Sequence, residues 1–202
     1  MIINDGHMNH QVKDFSHLIG HLPGMTDRQV ETHLGLYAGY VKKLNEIQEK
    51  LTTTEPTESN YSYGAFSELK RREVVAFNGS YLHQAYFENL TPAPHSDMLA
   101  AFRKAVEQSW GSWDKFVADI KGSAASTPGW VMLTKNQVDG LLHTYILFEH
   151  NINFPVHNNV LMALDCWEHA FAIDYGTDKP KYVENFLKVV DWEVVAKRFA
   201  EL

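Results

Sequence analysis

The chain has 202 residues, 45% hydrophobic and 21% charged, and its 18 basic and 25 acidic side chains give a net charge of −7. That length suits one domain, or two lobes sharing a core, and buries about 70% of the unfolded surface, so folding requires no disulfide or metal staple. The single cysteine, Cys166, excludes an internal disulfide framework and fits a reducing, cytoplasmic compartment. The acidic balance argues against a nucleic acid or an anionic membrane surface as partner. No apolar run approaches the ~18 residues of a membrane span, and Met1–His10 lacks a secretory pattern. The outlying number is eleven histidines, residues that commonly ligate transition metals.

Residues 1–24 read as polar and irregular, with His7, His10, His17 and His21 expected in solvent. Thr26 and Gln29 form a capping-box pattern before an apolar stripe of Val30, Leu34, Tyr37, Val41, Leu44 and Ile47, which predicts a long helix over 27–51. Gly35 and Gly39 lie inside it, and interior glycines suggest close approach by another backbone. Residues 52–66 read as a loop, and a second helix is expected from Ser67 to Asn89, completing a helical hairpin.

The Pro-rich link TPAPH leads to helices expected at 97–109 and 113–121, the latter opening after Ser112 and ending at a small-residue break from Gly122 to Thr127. The period then changes. Trp130–Thr134, Leu141–Leu147 and Val160–Leu164 are short apolar runs separated by turn residues, and they predict three antiparallel strands. Residues Trp167–Tyr175, Lys181–Val190 and Trp192–Phe199 read as helical. The expected class is α+β: a hairpin lobe over 1–91, then an α/β lobe with a three-stranded antiparallel sheet over 92–202.

Asp165 and His169 sit four apart in DCWEHAF, directly after the third strand, where a turn would let both reach one metal. Alone, that spacing is common. His33 and His83 lie mid-helix on two helices expected to be antiparallel, so both can point into one interhelical space; each alone would read as a core or surface histidine. Together the four residues make a coherent His3Asp metal set.

The segments HLGLYAGYVKKLNE, FNGSYLHQAYFENL, PGWVML and DCWEHAFAIDY resemble the signature blocks of iron/manganese superoxide dismutases, and the tail KYVENFLKVVDWEVVAKRF is similar to that family's end. The likeness covers about residues 15–200 in order. It implies His33, His83, Asp165 and His169 as ligands of one iron or manganese ion per subunit. It also implies a catalytic role for Tyr40 as the gateway tyrosine, and Trp130 and Trp167 as walls of the metal pocket. Glu168 would reach across a homodimer, or a dimer of dimers, to the partner's ligand histidine. The implied reaction takes superoxide to dioxygen and hydrogen peroxide, with proton relay through Tyr40. A catalytically silent relative of the same fold, and a zinc hydrolase on the same His3Asp set, are the competing readings.

Two departures from the family pattern stand out. Many members hold a glutamine near the solvent beside the metal; at one of its two positions this chain has Gly79, and at the other, in FEHN, it has His150. His150 is therefore expected to bond Tyr40 and that solvent. Tyr37 and Ala172 replace the residues that usually pair across the dimer at the gateway, and only seven positions separate His33 from Tyr40. Cys166 reads as an inert small hydrophobe, and His95, His143 and His157 as surface residues.

Overall fold

The computed structural model describes residues 2–4, 7–57, 59–93 and 100–202. Expectations for His95, for the His7 side chain and for a helix start at 97 lie outside what is described. The chain opens with a two-stranded antiparallel ribbon, β1 (Ile2–Asn4) and β2 (His7–Asn9), and a 3-10 turn at Ser16–Leu18. The expected irregular N-terminus is thus partly ordered. His10 is buried rather than exposed: Asn45 bonds both its backbone N–H and its carbonyl, and its ring contacts Tyr81 Oη and Gln48 Oε1 at 2.6 and 3.0 Å. Two polar partners on the hairpin make that burial tolerable.

Helix α1 (Asp27–Thr53) buries Val30, Tyr37, Val41, Leu44 and Ile47 along the predicted stripe, and His33 joins them while Leu34 is only partly buried. Helix α2 (Ala65–Glu88) packs back along it and buries Leu82, His83, Tyr86 and Phe87 near its C-terminal end. Gly35 and Gly39 have nothing within 4 Å of a Cβ, so the close approach expected there does not occur. It occurs instead at Gly79 on α2, where a Cβ would lie 2.5 Å from Tyr40 Cδ1.

Helix α3 spans Ala100–Trp110, and α4, capped by the Ser112 side chain, spans Trp113–Ala125. The small residues at 122–125 therefore continue the helix instead of breaking it. Buried Ile120 and Ala124 hold that last turn to the core, which offsets the roughly 1 kcal/mol that Gly122 costs.

The sheet has the order β4–β3–β5, all antiparallel, with β3 Trp130–Asn136, β4 Leu142–Leu147 and β5 Asn158–Asp165. Trp130 pairs with both Leu147 and Asp165, so these three residues mark one end of the sheet. Consecutive Val131, Met132 and Leu133 are fully buried, so both faces of the central strand are covered. After β5 the expected helix is a 3-10 turn at Glu168–Ala170 followed by a single helical turn, α5 (Ala172–Tyr175). Helices α6 (Lys179–Val189) and α7 (Trp192–Ala200) close the chain. Arg198 on α7 reaches Glu88, the Asn89 side chain and the Leu161 carbonyl, which ties the hairpin's open end to β5.

Candidate metal centre

The site forms where the open end of the hairpin meets the marked end of the sheet. His33 lies two turns into α1 and His83 in the penultimate turns of α2, so antiparallel packing brings their rings to 5.1 Å. They are near helix ends rather than mid-helix, and this is what lets them meet Asp165, the last residue of β5. His169 follows on the 3-10 turn. One ligand atom from each of His33, His83, Asp165 and His169 lies within 4.8 Å of the others, and the first three residues are buried.

Three Nε2 atoms surround a single oxygen, Asp165 Oδ2: His33 and His169 at 3.1 Å and His83 at 3.5 Å. Its other oxygen accepts the Trp167 backbone N–H at 2.9 Å. Burial holds His33 below the ordinary imidazole range and pushes His83 down to about 3. Burial opposes ionisation of Asp165, but the bonds from His169 and His33 outweigh it and hold the carboxyl well below the usual carboxylate range.

The His83 ring carries the sharpest signal. Its Nδ1 lies 2.5 Å from the Gly79 carbonyl, an acceptor only, so Nδ1 bears the proton. Nε2 is then a lone pair, fully buried and without a hydrogen-bond partner among the described residues, aimed at a carboxylate oxygen 3.5 Å away. Two buried acceptors facing each other are unfavourable unless a cation sits between them. The donor set of three imidazoles and one carboxylate suits first-row transition metals.

Around this cluster, His150 is buried at 4% exposure, pushed down to about 4 by burial, and has a partner on each ring nitrogen. Trp130 Nε1–H donates to its Nδ1 at 2.9 Å, and its Nε2 lies 2.7 Å from Tyr40 Oη. An indole nitrogen only donates, so His150 Nδ1 must carry a lone pair and Nε2 the proton. Tyr40 Oη therefore accepts from His150, which leaves its own O–H free to donate elsewhere. Burial, followed by the Asp165 charge, raises the Tyr40 phenol. Asn78 Nδ2 donates to the His150 carbonyl at 2.7 Å and anchors this loop to α2.

Trp130, fully buried, and Trp167 both pack beside the histidines, with ring centroids 4.9 Å from His83 and 6.4 Å from His169 respectively. Tyr37 packs on Phe15 and Phe87, and its hydroxyl accepts the Lys13 N–H. Ala172 opens α5. Glu168 is exposed and makes no ion pair among the described residues, and His143 meets Asp139 at 2.8 Å on the surface. Cys166 is buried, and desolvation pushes its thiol up to about 12, so it is unreactive. Sequence reasoning missed Gln29 and Asn78, which hold backbone at the site; the Thr-x-x-Gln spacing was the only available sign of the first.

Residues 98–198 match the family pattern described as iron/manganese superoxide dismutases, C-terminal domain. The chain is 34% identical over 182 residues to a superoxide dismutase [Fe] of Aquifex pyrophilus, an alignment covering 88% of this chain and 85% of that protein. It is 33% identical over 195 residues to the superoxide dismutase [Fe] of Aquifex aeolicus, covering 94% and 92%. It is 30% identical over 189 residues to the superoxide dismutase [Mn] of Mycolicibacterium smegmatis, covering 93% and 89%. A hairpin joined to a three-stranded α+β lobe, a His3Asp cluster at their junction and likeness along nearly the whole chain agree: the protein belongs to the iron/manganese superoxide dismutases.

Proposed function

We propose that His33, His83, Asp165 and His169 hold one iron or manganese ion and that the protein uses it to dismutate superoxide. The buried His83 lone pair opposite Asp165 is the observation that carries this reading. Two ligands come from the hairpin lobe over 1–91 and two from the lobe over 92–202, so the site joins the halves. When bound, the metal supplies a one-electron couple that oxidises one superoxide and reduces the next.

The chain's own groups manage charge and protons. One carboxylate among three neutral imidazoles would cancel only one charge of a bound di- or trivalent ion, so the loaded pocket would stay cationic and favour an anionic substrate despite the chain's net charge of −7. Making hydrogen peroxide consumes two protons. Tyr40, protonated and freed to donate by His150, is placed to deliver one. Trp130 keeps His150 in the tautomer that frees it, and the indole rings exclude water.

Protein stripped of metal and reloaded with iron, manganese or zinc separately tests this. Superoxide removal is expected with iron or manganese and absent with zinc, and His83→Ala should lose metal and activity together. A fully iron- or manganese-loaded protein that fails to turn over would refute the reading.

We further infer a homodimer in a reducing, cytoplasmic setting. Glu168 is exposed beside His169 and makes no ion pair among the described residues, as expected of a side chain that reaches a partner's ligand. A monomer by light scattering would contradict this, and Glu168→Ala should weaken the dimer.

A further inference from the structure

The Thr-x-x-Gln pattern that opens α1 predicts a reciprocal cap, in which Thr26 bonds the Gln29 backbone and the Gln29 side chain returns to the Thr26 N–H. Only the first half forms: Thr26 Oγ1 accepts the Gln29 N–H at 3.3 Å. The Thr26 N–H goes instead to Asp174 Oδ2 at 2.7 Å, and its hydroxyl donates to Asp174 Oδ1 at 2.6 Å. The Gln29 side chain takes no part in the cap and turns into the protein at 1% exposure.

Both ends of the buried amide are used. Nε2 donates to the His169 carbonyl at 2.6 Å, and Oε1 accepts the Ile173 N–H at 3.2 Å. Gln29 thus clamps the segment that carries one ligand to the helix that carries another. His33 is one helical turn further along α1, on the same face. The segment needs such a clamp. Its 3-10 turn is only three residues long, and His169 is the least buried of the four ligands.

We propose that Gln29 is a positioning residue of the metal centre. It fixes the His169 backbone at a set distance from His33, so that both imidazoles meet the ion without rearrangement. The proposal rests on the ligand assignment above. It predicts that the amide matters for metal retention and for the geometry around the ion, beyond any effect on folding. The exposed Thr26–Asp174 tie joins the same two segments without touching the His169 peptide, so it is the natural comparison.

Iron-loaded wild-type protein, Gln29→Leu, Gln29→Glu and Asp174→Ala are compared by chelator-driven iron release and by the electron paramagnetic resonance spectrum of the ferric form. Unfolding of the metal-free proteins is measured in parallel. Gln29→Leu is expected to release iron about 10- to 100-fold faster than wild type, the range found when groups that orient ligands are removed. Its ferric spectrum should shift or broaden, while Asp174→Ala keeps near wild-type release and spectrum. Gln29→Glu keeps the acceptor for Ile173 but sets an oxygen against the His169 carbonyl, and it should move in the same direction; it decides the matter if Gln29→Leu does not fold. Wild-type release and spectrum in the glutamine variants, or equal effects from Asp174→Ala, would overturn the proposal. Failure of the ligand assignment looks different: wild type would then hold no stoichiometric metal, or His83→Ala would hold as much.

Discussion

Replacing Gly79 by alanine pits two known effects against each other. A Cβ built at this position lies 2.5, 2.7 and 2.8 Å from Cδ1, Cε1 and Cγ of Tyr40. Carbon atoms rest at about 3.5–4.0 Å, so the Tyr40 ring must retreat by roughly 1 Å. The bond from His150 Nε2 to Tyr40 Oη, now 2.7 Å, would then stretch beyond useful length. Overpacking of this kind costs about 1–3 kcal/mol. The helix itself gains about 1 kcal/mol from glycine to alanine. Gly39, beside Tyr40 on α1, has nothing within 4 Å of a Cβ and is the control, because it collects the helix gain alone. Denaturant unfolding of the metal-free proteins should therefore show Gly39→Ala stabilised by about 1 kcal/mol. Gly79→Ala should fall below it by about 1–3 kcal/mol. Superoxide removal at equal metal loading should drop at least about tenfold in Gly79→Ala, since a displaced Tyr40 no longer delivers its proton. Equal stabilisation of both variants with unchanged activity would refute the packing argument and the role it gives Tyr40.

Trp130→Phe keeps the aromatic wall but removes the donor to His150 Nδ1. The buried nitrogen then costs about 1–3 kcal/mol unless the ring takes its other tautomer. In that tautomer Tyr40 must donate to His150, so activity should fall while metal content per chain, read by elemental analysis, stays constant. Glu88 is expected to show a pH signature. Burial opposes its ionisation, but Lys13, Gln84 and Arg198 together hold it below the ordinary glutamate value of about 4.5. Below that value the unfolded chain binds more protons than the folded one, so this contribution is present above about pH 4.5 and is lost as pH falls through the lowered folded value. Melting of metal-free protein between pH 6 and 3 should show a shallower acid slope for Glu88→Gln than for wild type.

The hairpin, the sheet and the four-residue cluster were legible in sequence because each leaves a periodic or spaced trace. The α1 stripe has period 3.6, the strands are short apolar runs between turn residues, and Asp165 and His169 stand four apart after one of them. What was illegible depends on partners distant in the chain. His10 lies in a polar stretch with no apolar pattern, and its burial depends on Asn45, Gln48 and Tyr81 on two helices. Gly35 and Gly79 look alike as interior helix glycines, yet only the second meets another side chain, since which face each presents depends on how the helices pack. Gln29 matched a capping pattern, but the Thr26 N–H goes to Asp174, 148 residues beyond it, while the Gln29 amide bonds backbone around His169. The His150 bond to Tyr40 was legible only through family likeness, whereas the fixed tautomer of His150 follows from Trp130 Nε1 alone.

The central claim is that one redox metal sits among His33 Nε2, His83 Nε2, His169 Nε2 and an Asp165 carboxylate oxygen. Anomalous diffraction from crystals of iron-loaded protein, recorded on both sides of the iron absorption edge, tests it most directly. A single strong peak per chain, within bonding distance of all four atoms, is the predicted result. A peak elsewhere, or one that leaves His83 Nε2 unligated, would contradict it.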